Sequence, residues 1–175
     1  MSLFVIDVES DGQVIGKNSM VCFGAVKVDL ELKTTFYGQV RPISEEYNPD
    51  ALAVSGFSRE EHEKFDDPFF VMDEFAKWLN ENSKGRPILI SDNNGYDASW
   101  INYYFHVYHN GNPFGWSSRR IGDLYCGAEH DMFYSWKKHR NIIKYPHNHN
   151  PLSDALSNAS ALLYLFDKYN IKFPK

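Results

Sequence analysis

Cysteine is scarce in this chain. Cys22 and Cys126 are the two in 175 residues, and they lack the close spacing of metal-binding thiols. The pair fits a reduced, cytoplasmic protein better than a disulfide-stapled scaffold. Basic residues are also in deficit, 18 Lys and Arg against 23 Asp and Glu, giving a formal net charge of −5. That balance counts against a broad, sequence-independent grip on duplex nucleic acid, which draws on many cations. A small anionic target reached through bound metal stays compatible with it. Long apolar runs are missing too. No stretch is long enough to span a membrane and no basic-then-apolar leader opens the chain, so no membrane partner is expected. With no internal repeat, low-complexity tract or linker, the length is most economically one domain, residues 1–175.

Aromatic residues are plentiful: 13 Phe, 11 Tyr and 4 Trp. They suit a compact core or a stacking surface equally well. Near the N-terminus an apolar run, Leu3-Phe4-Val5-Ile6, carries Asp7 and Glu9 before the turn Ser10-Asp11-Gly12. Met20–Leu30 alternates with both sides largely apolar, predicting a long covered strand, and Thr34–Val40 predicts its antiparallel partner. Ser58 with Glu61 spells a capping box for a short helix. Asp67-Pro68 opens a helix with Val71, Phe75, Trp78 and Leu79 on one face. Pro87–Ser91 is a buried strand, and a helix over about Asp97–Tyr108 follows it. Residues 112–122 read as loop. The stretch 123–140 reads as a helix with Leu124, Met132, Phe133 and Trp136 inward, its basic end (Lys137, Lys138, His139, Arg140) suited to a helix C-terminus. Asn150-Pro151 starts a last helix presenting Leu152, Leu156, Ala159, Leu163 and Phe166 inward. Strands first, then helices around one further strand, predict an α/β layer protein.

Asp7 and Glu9 are two residues apart, so on a strand they share a face. Paired acids in an apolar run need a compensating cation, of which a divalent metal is one; an edge strand ending in solvated acids is the other reading. Asp97 follows the buried strand and opens a helix, the end of an α/β sheet where ligands bind, although an acid at a helix N-terminus is also favourable by itself. His149 and Asp154 bracket the start of the last helix and can face one site; His149 can equally be a solvated loop residue.

Taken together, these five residues resemble the DEDDh 3′–5′ exonuclease family. The D-x-E motif is matched by Asp7-Val8-Glu9, the helix-opening Asp by Asp97, and the H-x-x-x-x-D-Ala motif by His149 through Asp154 and Ala155. Ser55-Gly56-Phe57-Ser58 and Ile121-Gly122-Asp123-Leu124 echo smaller family features. Two departures lie off the ligand positions: Asp92-Asn93 where many members have His-Asn, and Pro151 where many have Ala. The chain looks most like the small single-domain bacterial and phage exoribonucleases.

The resemblance implies an α/β, RNase H-like mixed sheet of about five strands with helices on both faces. It implies two Mg²⁺ (or Mn²⁺) ions, with Asp7 bridging both, Glu9 and Asp154 completing one, and Asp97 holding the other. Such hard ions take carboxylate oxygens, and a pair of them can serve attack and departure in phosphodiester hydrolysis. His149 would be the general base on the attacking water, histidine being the side chain that changes charge near neutrality. The expected partner is single-stranded nucleic acid, RNA or short oligoribonucleotides favoured over DNA, cut from the 3′ end to nucleoside 5′-monophosphates. Single-stranded DNA is the alternative substrate, and a catalytically silent binding module on the same fold is the alternative class. Ser10, Asp11, Gly12 and Phe57 are the expected contacts to the terminal nucleotide, and a homodimer is left open.

Overall fold

The computed structural model describes residues 1–142 and 145–173, the side chains of 140–142 excepted. The opening apolar run forms β1 (Ser2–Ser10), which pairs antiparallel with β2 (Met20–Lys27). β2 pairs antiparallel with β3 (Thr35–Gln39). On the other side of β1, β4 (Pro87–Ser91) and then β5 (Ser118–Arg120) run parallel to it. The resulting order is β3-β2-β1-β4-β5. β1 is therefore central and shares with β4 the edge where parallel strands end. Crevices at such carboxyl ends are the usual ligand sites of α/β sheets.

Six α-helices surround the sheet among the described residues: α1 (Pro49–Val54), α2 (Arg59–His62), α3 (Pro68–Asn82), α4 (Asn94–Tyr108), α5 (Ile121–Glu129) and α6 (Pro151–Lys168). None is long and apolar enough to cross a membrane. Phe4, Ile6 and Val8 of β1 meet α3 and α4, where Val71, Met72, Phe75, Leu79, Trp100, Ile101, Tyr104 and Phe105 are buried. Val5 points the other way, into a second core with Ile90, Tyr125, Ala155, Ala159, Leu162 and Leu165 against α5 and α6. Each large apolar side chain so buried contributes roughly 1.5–3 kcal/mol. Asp7 and Glu9 continue the Val5 side of β1, on the face covered by α6.

The predicted caps form. Ser58 and Glu61 close a reciprocal capping box on α2. Asp67 accepts from the Phe69 N–H at 2.9 Å to start α3, and Asn150 accepts from the Ser153 N–H at 3.0 Å to start α6. α6 approaches β2 closely because Gly24 has no side chain. A Cβ there would lie 2.4 Å from the backbone N and Cα of Leu152. Since backbone cannot yield as a side chain would, Gly24→Ala should cost about 1–3 kcal/mol. A thermal melt of the variant checks this, and an unchanged melting temperature would show that α6 accommodates the methyl.

Five stretches depart from the sequence expectation. α1 was not anticipated; it rests on Asn48, whose side chain accepts from the Asp50 and Ala51 N–H groups. α4 begins at Asn94, ahead of Asp97, which sits within its first turn. Residues 118–120 are strand rather than loop, recruited by pairing with β4. The expected helix over 123–140 is broken: α5 ends at His130 in a left-handed conformation (φ 55°), and a 3-10 helix, Trp136–Ile142, follows later. Met132 and Phe133 are consequently exposed, Phe133 to 95 %. Lys137, Lys138 and His139 lie in the 3-10 helix instead of at an α-helical C-terminus, while the Arg140 side chain lies outside the described residues. On α6 the inward stripe is Ala155, Ala159, Leu162, Leu165 and Phe166, with Leu152, Leu156 and Leu163 only half-buried.

Candidate active site

Three elements deliver carboxylates to the carboxyl end of β1. The strand supplies Asp7 and Glu9, placed on one face by its period of two. α6 supplies Asp154, fully buried in the first turn beyond the Gly24–Leu152 contact. One oxygen from each of Asp7, Glu9 and Asp154 lies within 4.8 Å of the others. Asp97, 2 % exposed, is not part of that trio and is held beside it. Its Oδ1 accepts from the Val8 N–H at 3.2 Å, fastening α4 to β1 between the two strand acids. Its Oδ2 is buried without a hydrogen-bond partner.

The segment ahead of α6 wraps around Asp154. The N–H groups of Asn148 and His149 donate to its two oxygens at 2.9 and 3.1 Å. His147 Nδ1 lies 2.8 Å from Asp154 Oδ2. His149 takes a left-handed backbone (φ 60°), and its ring, 60 % exposed, places Nδ1 3.8 Å from Glu9 Oε1. All five residues of the motif set are thereby gathered at one end of the sheet, with the imidazole on the solvent side of the acids.

The acids repel one another. Burial, then Asp97, Asp154, Glu9 and Asp92, hold Asp7 well above the usual carboxylate range. Burial and Asp154 push Glu9 up to about 7. Burial also pushes Asp97 up to about 7, although the hydrogen bond from the Val8 N–H opposes the shift. Crowded oxygen donors that resist ionisation, one with an orphaned buried oxygen, fit a hard divalent cation such as Mg²⁺ or Mn²⁺.

The raised values have a consequence for stability. In the folded protein these acids hold protons above pH values at which the unfolded chain has released them, so stability falls as pH rises toward and through the folded values. His62, buried and pushed down to about 4 by desolvation and Arg59, works in the opposite direction below its unfolded value near 6.5. The window between pH 6.5 and 8 isolates the acids. In EDTA the melting temperature should fall across it, and Mn²⁺ should reverse the fall. A flat or rising profile in EDTA would show that the carboxylate cluster is not under this strain.

The turn after β1, which holds the expected contacts Ser10, Asp11 and Gly12, is braced by internal contacts. Where the β1–β2 register shifts at Glu9/Ser10, the chain folds its polar groups inward. The Ser10 hydroxyl meets the Gly12 carbonyl and, at 2.5 Å, the Tyr96 hydroxyl. Asp11 is fully buried, accepts from the Ser19 N–H at 2.5 Å and pairs with Arg59 Nη1 at 3.1 Å, so its carboxylate braces the turn from within. Gly12 packs on the Asn18 side chain. Phe57 is half-buried, edge-to-face with Phe65 at 4.9 Å, in a small cluster with Val21, Cys22 and Leu52. Two neighbours of the acids were not singled out as site residues. Asp92, immediately after β4, accepts from Trp136 Nε1 at 2.8 Å and lies 3.3 Å from Lys137 Nζ. His147 touches Asp154 directly. An acid at the carboxyl end of a buried strand was a readable signal for Asp92; the His-Asn-His-Asn run gave no signal for His147 over His149 beyond motif spacing.

Known proteins bear on this arrangement. A 3′–5′ DNA exonuclease, Cap18, of Escherichia coli is 36 % identical over 178 residues, covering 95 % of this chain and 92 % of its own. The nuclease domain of 3′hExo, described as a DEDDh family member bound to rAMP, superposes with a TM-score of 0.76 over 99 % of this chain and 96 % of that one, at 18 % identity. The chain belongs to the DEDDh exonuclease family. The DEDDh fold, an RNase H-like mixed sheet flanked by helices, recurs in E. coli Exonuclease I in complex with a dT13 oligonucleotide. That superposition has a TM-score of 0.74 at 15 % identity over 97 % of this chain, but it spans 41 % of that larger protein. No family model matches the chain.

Proposed function

We propose that this DEDDh protein removes nucleotides from the 3′ end of single-stranded DNA, releasing nucleoside 5′-monophosphates. The observation that carries the choice of DNA is the relative 36 % identical over nearly the whole chain, which is named a DNA exonuclease. It outweighs the expectation of RNA that came with the resemblance to small exoribonucleases, because the acidic composition bears on how long a strand is gripped and says little about its sugar.

Asp7, Glu9 and Asp154 would hold one divalent ion and Asp97, together with Asp7, a second. Bound there, the ions supply Lewis acidity to the scissile phosphate and to the departing 3′-oxygen. The chain's own residues do the rest. Asp97, fixed to the Val8 N–H, sets the distance between α4 and β1, and the two backbone donors from 148 and 149 orient the Asp154 carboxylate. His149 stands outside the acids with its ring open to solvent, placed to take the proton of the attacking water. The water oxygen bonds to phosphorus, the P–O3′ bond breaks, and the terminal nucleotide leaves with its 5′-phosphate.

The test is parallel hydrolysis of single-stranded DNA and RNA of one sequence, each with a free 3′-hydroxyl. DNA should be degraded faster at equal concentration. Faster loss of the RNA would return the assignment to an exoribonuclease, and a 3′-phosphate that leaves the rate unchanged would contradict the direction of attack.

A further inference from the structure

Asp154 belongs to two donor sets. With Asp7 and Glu9 it forms an all-carboxylate trio; with His147 and His149 it forms a second, in which one atom from each side chain again lies within 4.8 Å of the others. The chemistry of the two differs. Oxygen-only donors suit Mg²⁺ and Mn²⁺, whereas two imidazoles and a carboxylate are the donors of a borderline ion, zinc above all. The second set is partly assembled: His147 Nδ1 is 2.8 Å from Asp154 Oδ2, and the two imidazole rings have centroids 5.2 Å apart. Tetrahedral zinc places its ligand atoms roughly 3–3.5 Å from one another, so closure needs only a small shift of the two rings. Both histidines lie outside helix and strand, on the segment before α6, and both are open to solvent, which provides an entry path. The buried carboxylate is already oriented by the Asn148 and His149 N–H groups, the kind of outer support that metal ligands require.

We propose that His147, His149 and Asp154 form a zinc-binding site that overlaps the nuclease centre and shuts it off when filled. Zinc there occupies an oxygen of Asp154 and the imidazole of His149, and both are then withdrawn from hydrolysis. The inhibitory part rests on the proposed exonuclease function; the binding part does not. His147 is the discriminating residue, since it belongs to the zinc set alone.

Calorimetric titration of ZnCl₂ into the full chain, with excess Mg²⁺ present, tests binding in the parent and in His147→Ala. The parent should bind one zinc ion, and the variant should bind it at least about tenfold more weakly. Co²⁺ in place of zinc should give the parent the visible absorption of a tetrahedral ion and leave the variant without it. In the nuclease assay, the zinc concentration that halves Mg²⁺-dependent hydrolysis should rise by the same factor in His147→Ala. Undiminished zinc binding in the variant would overturn the site and place zinc on the carboxylates; so would a parent that binds no zinc. Zinc binding lost in His147→Ala by a parent without nuclease activity would keep the site and reject the function.

Discussion

Asp7→Asn should lower turnover by at least about a thousandfold, the rate equivalent of the several kcal/mol that correctly held metal ions supply to phosphoryl chemistry. The side chain stands at the meeting point of the acids: Asp97, Asp154, Glu9 and Asp92 all raise its protonation range. Replacing it with a neutral residue of the same shape removes one partner of every one of those repulsions. The metal-free variant should therefore melt higher than the parent at pH 8, by about 2–4 °C for each kcal/mol relieved. Lost activity with gained stability is a signature that misfolding cannot produce. Calorimetry with Mn²⁺ completes the test, because intact binding in Asp7→Asn would remove Asp7 from the ligand set.

His149→Ala should slow hydrolysis by roughly 10²–10⁴ while leaving Mn²⁺ binding near the parent's value. The ring makes no short contact with the acids; its nearest approach is 3.8 Å to Glu9. Its backbone N–H, which does orient Asp154, survives the substitution. His147→Ala is the informative control. That imidazole sits 2.8 Å from Asp154, so its loss removes one contact to the carboxylate, worth roughly tenfold. Single-turnover rates separate the two, and a large loss at His147 with a small one at His149 would exchange their roles.

The placement of the candidate site residues was legible because they obey local rules. The period of a strand puts Asp7 beside Glu9, and a helix start after a buried strand puts Asp97 at the sheet's edge. A proline-led helix then brings Asp154 near whatever its first turn touches. What the sequence did not show was set by tertiary contacts. Nothing in Glu129-His130-Asp131 announces a left-handed break, since a glycine is the usual sign and a histidine occupies the position. Beyond it Trp136 is drawn in by Asp92 and the ring of Tyr125, leaving Phe133 outside. Asp11 read as a turn residue and a nucleotide contact, and its buried pairing was not legible because its partner, Arg59, lies 48 residues away. Gly24 read as an ordinary strand position, and only the packed helix shows that its missing side chain admits Asp154 to the site.

The most direct test is a time course on 5′-labelled single-stranded DNA with a free 3′-hydroxyl, run with Mn²⁺ and again with EDTA. With metal, the label should move down a ladder one nucleotide at a time while nucleoside 5′-monophosphates accumulate, and EDTA should stop both. Cleavage of a circular strand at a comparable rate, or a ladder that persists in EDTA, would contradict a metal-dependent 3′–5′ exonuclease centre built on Asp7, Glu9, Asp97 and Asp154.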